Sequence, residues 1–361
     1  MKTGELVLWV TTDCNLRCRY CYANGGENPE YMDWQVAKRA LDLMLNYFDS
    51  FKVQFAGGEP LLNMELIEQV VGYTKSWGIR YQLQTNATLI DRGVARRIKK
   101  LGISVGVSLD GLPEANDRLR PFADGRGSTA ATISGLENLR AEGIRVGLTC
   151  VLSAENAAGL PGLVELASYL GNVEGISLDL LRPIGRAKRG EVGPADPALA
   201  ARSVSAALRR ADELALLGGR RVKFREVERI RYLLSHGLER KYRCPFDACR
   251  YLVVDPKGRA YPCPSLVGLP EFYLGNVLED DFADELSDEL GRCREFIALP
   301  RYCSTCPERR LCGGPCLAQT YAGQLTGETT PTECYVRRAF INFARGKEVA
   351  NHAAKEICLS V

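Results

Sequence analysis

In the first half of the chain, short apolar runs alternate with helical patterns, and few folds accommodate that rhythm. Leu6–Thr11 reads as a strand. Trp34–Phe48 reads as a helix, with Asp33 placed to cap it. Further strand patterns lie at Lys52–Phe55, Arg80–Thr85, Ile103–Leu109, Arg145–Val151 and Ile176–Leu181. Helical patterns at Asn63–Trp77, Asp91–Leu101, Thr129–Glu142 and Leu160–Leu170 separate them. The unit recurs about six times at roughly 25–35 residues, which predicts an α/β protein with a parallel sheet and helices outside it. Order alone leaves a doubly wound sheet and a barrel both open. No G-x-G-x-x-G follows the first strand, which disfavours a dinucleotide-binding sheet. Six units fall short of a closed eight-unit barrel but suit an open one. In either architecture the active site lies at the C-terminal ends of the strands.

The rhythm stops at about residue 218. Before that point come a Gly/Pro/charge-rich loop, Pro183–Pro197, and a helix, Ala198–Leu217. Between Cys244 and Cys334 the chain is dense in cysteine and in Pro/Gly turns, with few long apolar runs, so it reads as a small domain folded around metal. A last helix is predicted over Val336–Ala353, packing back on the body. The expected organisation is a partial (β/α)6 barrel over 1–217, a bridging region over 218–243, a cysteine-rich α+β domain over 244–335 and a C-terminal helix and tail over 336–361.

A net charge of +3 gives no reason to expect nucleic acid or an anionic membrane as partner. The clusters at Arg96–Lys100 and Arg186–Arg189 read as a solvated helix face and a loop. The N-terminal apolar run, Leu6–Val10, is too short for a signal peptide or a membrane span, so a cytoplasmic protein is expected. Fourteen cysteines then need an explanation. Disulfides are rare in a reducing compartment, which makes metal ligation the better reading.

Directly after the first strand stand Cys14, Cys18 and Cys21, spaced C-x3-C-x2-C. Three thiolates on one loop can face one centre. A structural zinc site wants four ligands, and no histidine is near. On a four-iron cluster, three cysteines leave one iron open. This spacing, with Tyr20 before the last cysteine, resembles the radical S-adenosylmethionine (SAM) superfamily. The resemblance implies a TIM-like partial barrel in which the open iron chelates the amino and carboxylate groups of SAM and Tyr20 helps bury the adenine. Gly57-Gly58-Glu59-Pro60 after the second strand is similar to the family's segment for the SAM amino group. Its glycines allow close backbone approach, and Glu59 could accept from an ammonium. Thr85-Asn86-Ala87, Ser108-Leu109-Asp110-Gly111, Asn116–Arg120 and Gly125–Ser128 also resemble family turns, with Asn116 in place of the usual histidine. The resemblance implies SAM contacts from Asn86, Ser108 and Arg120, although Asp110 and Arg120 are open to a structural role. Leu181–Ala187 is family-like too, and equally suits a loop that packs the domains together.

Eight cysteines follow. Cys244, Cys249 and Cys263 (with Gly258 five residues before the last) precede Cys303-x2-Cys306-x5-Cys312-x3-Cys316 and Cys334. Eight make two sets of four. Paired C-x2-C units, the usual mark of a zinc ribbon, are lacking. The pattern resembles the SPASM domain. By that resemblance Cys244, Cys249, Cys263 and Cys316 would hold one auxiliary cluster, and Cys303, Cys306, Cys312 and Cys334 a second, giving three [4Fe-4S] clusters in all. Were Cys249 not a ligand, the first auxiliary cluster would keep an open iron. Cys150, Cys293 and Cys358 have no assigned role; buried apolar thiols are common.

What the resemblance implies is reductive cleavage of SAM to a 5′-deoxyadenosyl radical, which takes a hydrogen atom from the substrate. Electrons would come from a reductant such as ferredoxin or flavodoxin. His236 and His352 lie outside every motif, so proton transfer is expected from a carboxylate, tyrosine or water, and no single acid–base residue is assigned. The expected substrate is a peptide or protein undergoing modification, with a small molecule or cofactor precursor of the haem type as the alternative. Pro264 stands where sulfatase-maturing relatives carry Asp, which disfavours formylglycine formation. The chain begins at the first strand, so no leader-recognition domain is expected. A non-catalytic iron–sulfur electron carrier is the alternative from another class, but a carrier needs neither the Gly57–Pro60 segment nor an open iron.

Overall fold

The computed structural model describes residues 3–295, 300–326 and 331–346. The strands are β1 (Thr3–Thr11), β2 (Ser50–Gly57), β3 (Arg80–Thr85), β4 (Ser104–Ser108), β5 (Val146–Leu152), β6 (Val173–Leu180), β7 (Lys223–Phe224), β8 (Tyr251–Val254) and β9 (Ala260–Tyr261). They form one sheet in the order β7-β6-β5-β4-β3-β2-β1-β8-β9. Pairing is parallel from β7 to β8, and only β9 is antiparallel. From β1 to β7 each strand neighbours the next, with no reversal of order. The sheet therefore winds in one direction without closing, as a partial barrel, and the doubly wound alternative falls.

Helices α1 (Trp34–Tyr47), α2 (Met64–Tyr73), α3 (Arg92–Leu101), α4 (Pro113–Leu119), α5 (Thr129–Ala141) and α6 (Leu160–Leu170) connect the strands. Their starts follow capping chemistry. Asp33 accepts from Val36 N at 2.9 Å and Asp91 from Val94 N at 2.7 Å, each satisfying a donor that the first turn leaves free. In α1, Val36, Ala37, Ala40, Leu41, Leu43 and Met44 recur at helical spacing and are all buried. β1 is buried continuously from Leu6 to Thr11, as a strand in the interior of a covered parallel sheet must be.

The remaining helices are α7 (Pro197–Leu216), α8 (Arg225–Ser235), α9 (Phe282–Glu295), α10 (Arg309–Cys312), α11 (Leu317–Thr326) and α12 (Pro331–Ala344). Here the structure departs from the sequence reading in four ways. The βα rhythm does not stop at 218, because β7 and α8 add one more unit. A two-residue strand is too short to leave an apolar pattern. The sheet also runs across the boundary drawn at 244, since β8 pairs with β1 in register Glu5↔Tyr251 to Leu8↔Val254. The cysteine-rich region, thirdly, does build a core. Phe282, Leu286, Leu290 and Cys293 lie along one face of α9 and, with Phe272, Leu317 and Phe340, join the same buried cluster as the barrel. Lastly, the final helix starts at Pro331, five residues earlier than predicted, while residues 347–353 of the prediction lie outside the described ones.

That helix does pack back on the body. Phe340 lies against Phe224 with ring centroids 6.1 Å apart, and Thr332 Oγ1 donates to the Ala195 carbonyl at 2.9 Å. Among the described residues no helix is long and apolar enough to cross a membrane. Truncating Phe340 would open a cavity where α12, β7 and α8 meet. Phe340→Ala should cost about 3–5 kcal/mol, read as a lower midpoint in thermal unfolding; an unchanged midpoint would show that α12 does not stabilise the barrel.

Candidate active site

The loop after β1 carries Cys14, Cys18 and Cys21. Two arginines take up its carbonyl oxygens. Arg17 donates from Nη1 to the carbonyls of Cys14 and Leu16, and from Nη2 to that of Gly26 at 2.9 Å. Arg186, from the loop after β6, donates from Nε to Cys18 O at 2.9 Å, from Nη2 to Gly25 O at 3.1 Å and from Nη1 to Glu27 Oε1 at 3.1 Å. Its backbone N–H reaches Cys21 O at 2.9 Å. Gly185 stands at φ +60, where an added Cβ would lie 2.4 Å from Tyr22 O, so only glycine lets this segment press on the loop. Arg186 is 5% exposed. The reading of Arg186–Arg189 as solvated is therefore corrected at Arg186: the loop seats on the cysteines.

The three thiols sense one another. Burial, then the Cys18 thiol, pushes Cys14 up to about 12. Burial likewise raises Cys18 to about 11, partly opposed by the guanidinium of Arg120. As free thiols Cys14 and Cys18 stay protonated at neutral pH, so metal binding to them must displace protons. An added Cβ on Gly25 would lie 3.2 Å from Cys14 Cβ, so the backbone cradles the thiols closely. Among the described residues no three His, Cys, Asp or Glu side chains converge tightly enough to hold a single ion. The thiols instead edge open space, the arrangement that suits a larger, cluster-sized group.

Neighbouring strand ends complete the wall. Gly57 and Gly58 pass so close to the loop after β1 that an added Cβ would lie 2.1 Å from Thr11 O and 2.0 Å from Asp13 O, respectively. Both glycines are needed for loop-to-loop packing, beyond any ligand approach. Glu59 is placed otherwise than the sequence suggests. Its carboxylate is 1% exposed and accepts from Leu61 N (3.1 Å), Thr85 Oγ1 (2.7 Å) and Asn86 N (2.8 Å). Burial raises its pKa against the pull of those donors. It braces the turns after β2 and β3 and, like Pro60, does not line the open space. Asn86 extends the brace by donating to Asn15 Oδ1 at 2.9 Å.

Tyr20, Asp110 and Arg120 form a buried triad. Tyr20 OH donates to Asp110 Oδ2, and Arg120 Nη1 donates to the same hydroxyl at 2.7 Å. Arg120 Nη1 lies 3.8 Å from Asp110 Oδ2. Burial pushes the Asp110 carboxyl up even beside the arginine. Asn116 is fully buried, with Oδ1 accepting from Asp110 N at 3.0 Å, a bracing role. Asp110 is thus structural, while Arg120 both holds Tyr20 and lines the site.

The C-terminal thiols fall into two groups. Burial, then Cys316, raises Cys263 to about 12, and Cys244 acts on it as well. Cys334 is raised to about 12 by burial and by Glu333, Cys303 and Cys312. Cys303 in turn is raised by burial, Cys312 and Cys306. Cys249 sits at φ +51, strained for a residue with a Cβ. Cys150 and Cys293 are fully buried, while Cys358 and His352 lie outside the described residues. His236 is exposed at the end of α8, as expected of a surface histidine.

One cavity of about 570 Å³ joins these parts. Cys14, Cys18, Cys21, Tyr20, Gly57, Gly58, Asn86, Ser108 and Arg120 line it, and so do Cys244, Cys263, Cys312 and Cys316. Cys249, Cys303, Cys306 and Cys334 do not line it. Sequence reasoning missed the two clamps. Arg17 lies between two of the cysteines, and Arg186 lies within a family-like motif; a buried guanidinium satisfied by carbonyls leaves no periodic signal.

Comparison with known proteins agrees. Residues 10–167 match the Radical SAM superfamily model, and residues 244–307 match SPASM, an iron–sulfur cluster-binding domain. The chain is 47% identical over 185 residues to the uncharacterized protein MJ0907 of Methanocaldococcus jannaschii, covering 50% of this chain and 63% of that one. It is 37% identical over 165 residues to an Fe-coproporphyrin III synthase of Methanosarcina barkeri, covering 45% and 40%. The chain thus spans less than two thirds of the length of these two relatives. With the mycofactocin maturase MftC of Mycobacterium ulcerans it shares 27% identity, covering 90% and 86%. The fold is that of anSMEcpe with bound AdoMet, at a TM-score of 0.76 and 21% identity over 95% of this chain and 99% of that one. The thiol loop at the mouth of a one-way partial barrel and the cysteine-rich domain joined to its edge make this chain a member of the radical SAM superfamily with a SPASM domain.

Proposed function

We propose that this enzyme cleaves SAM reductively and removes a hydrogen atom from a substrate enclosed between the barrel mouth and the SPASM domain. The observation that carries this reading is the cavity lined both by the Cys14/Cys18/Cys21 loop and by Cys244, Cys263 and Cys316. Cys14, Cys18 and Cys21 would hold the SAM cluster and leave one iron open. Cys244, Cys249, Cys263 and Cys316 would hold the first auxiliary cluster, and Cys303, Cys306, Cys312 and Cys334 the second. The SAM cluster held by Cys14, Cys18 and Cys21 would supply the one electron that splits the SAM sulfonium into methionine and the 5′-deoxyadenosyl radical.

The chain's own residues position and shield. The backbone of Gly57 and Gly58, with Asn86 and Ser108, would receive the polar groups of SAM. Tyr20 is fixed by Asp110 and Arg120, so its ring can close over the adenine without ordering cost at the moment of binding. Glu59 acts through the turns it ties. Arg17 and Arg186 hold the loop rigid, and Arg120 places a positive charge beside Cys18. Any proton would pass to water or a carboxylate, since the one described histidine is at the surface.

Two substrate classes fit this machinery. A peptide or protein is supported by the similarity to a mycofactocin maturase along most of both chains. A carboxylate-bearing tetrapyrrole precursor is supported by the Fe-coproporphyrin III synthase relative and by the excess of arginines around the cavity.

In a variant lacking Cys14, Cys18 and Cys21 (all to Ala), anaerobic 5′-deoxyadenosine formation should be abolished while about eight of about twelve irons remain. Persistent cleavage would overturn the assignment. Arg186→Gln should lose iron from the same cluster, leaving between about eight and about twelve irons per chain. Arg189→Gln, which removes only an exposed ion pair to Glu27, should keep the full complement. Equal iron in both would show that the clamp is dispensable.

A further inference from the structure

Among the described residues, nine cationic side chains line the cavity against four carboxylates. Most of the nine have structural partners. Lys52 pairs with Glu5 at 2.7 Å, Arg182 with Asp179 at 3.2 Å and Arg337 with Glu333 at 2.7 Å. Arg243 lies 3.6 Å from Asp247, and Arg240 Nη1 donates to Cys312 O at 2.9 Å. Arg120 and Arg186 serve the cysteine loop. Arg225 and Arg229 are left, one turn apart on the cavity face of α8.

Their surroundings do not explain them. Arg225 is three-quarters exposed and lies 3.6 Å from Glu226. Arg229 forms no ion pair among the described residues, and burial, then Arg225, disfavours its charge. Like charges four residues apart weaken a helix, and Glu226, 3.6 Å from Arg225 and acting on Arg229 as well, offsets only part of that cost. Nor do the proposed clusters absorb the excess. Three thiolates on a four-iron cluster leave roughly one negative charge and four leave roughly two, while bound SAM is itself net cationic. The cavity stays positive. Two guanidinium forks on one helix face match carboxylates in bidentate geometry.

Resting on the function proposed above, we infer that Arg225 and Arg229 are the recognition site for carboxylate groups of the substrate, on the Cys244 side of the cavity. The site determines specificity and takes no part in SAM cleavage. A substrate bearing two or more carboxylates would bridge the two forks.

The test is direct binding to the anaerobic, full-length protein with its clusters. Fluorescence titration would compare coproporphyrin III, a tetracarboxylic acid, with its uncharged tetramethyl ester. The acid should bind, with the ester about tenfold or more weaker. Arg225→Gln and Arg229→Gln should each weaken the acid about tenfold and leave the ester alone. Arg231→Gln, on the same helix but paired with Glu228 and stacked on Phe343, should alter neither. Iron content checks each variant for intact folding. Should Arg229→Gln lose iron, Arg229→Lys, which keeps the charge without the fork, should still weaken the acid. A hexaglutamate peptide that displaces the acid through Arg229 would assign the carboxylates to a peptide; failure to displace would assign them to a small molecule. Equal binding of acid and ester, unchanged affinity in both variants, or no binding of either acidic probe would overturn the inference. SAM cleavage without substrate, measured separately, reports on the proposed function and not on this site.

Discussion

A loop that crowds three thiols, one buried and two half-buried, is a costly thing to fold, because polar groups lose water and each nearby carbonyl needs a donor. Here the donors are guanidinium groups. Arg17 and Arg186 between them satisfy the carbonyls of Cys14, Leu16, Cys18, Gly25 and Gly26. The clamp comes from both ends of the barrel sequence, since Arg17 sits in the first loop and Arg186 follows β6. A cluster site therefore forms only when the first and sixth strand ends are both in place. Local chemistry and global topology depend on the same hydrogen bonds.

The sheet provides the complementary constraint. β8 adds to β1 in parallel register, so the SPASM region shares the strand that delivers the cysteine loop. Cys244 and Cys263, which flank β8 and β9, line the same cavity as Cys14, Cys18 and Cys21. α12 packs on β7 through Phe340 against Phe224, and on α8 through Phe343 beneath Arg231. The two halves of the chain thus share one core and line one cavity.

Much of this was legible before any coordinates. Apolar runs at strand spacing located β1 to β6, and Asp33 announced a helix by cap chemistry. Cysteine spacing separated the three-thiol loop from the eight C-terminal thiols. What escaped has physical reasons. β7 is two residues long, and β8 is an ordinary apolar run whose partner lies some 245 residues upstream, at β1. Glu59 has the right identity for an ammonium ligand, yet its three donors come from turns that only the fold assembles. Arg186 read as solvated because charge in a loop usually is; its burial depends on carbonyls that sequence cannot place. The arginines on α8 lie in the stretch read as a bridging region, where nothing in the sequence places them beside a cavity.

The central claim is that the loop after β1 holds a cluster with one iron left open to SAM. Electron–nuclear double resonance on the reduced protein tests it most directly, using SAM labelled with ¹⁷O in the carboxylate and ¹⁵N in the amino group. Hyperfine coupling of both nuclei to the cluster signal is the predicted result. Reduced, iron-replete protein with SAM bound and no coupling to either label would contradict it.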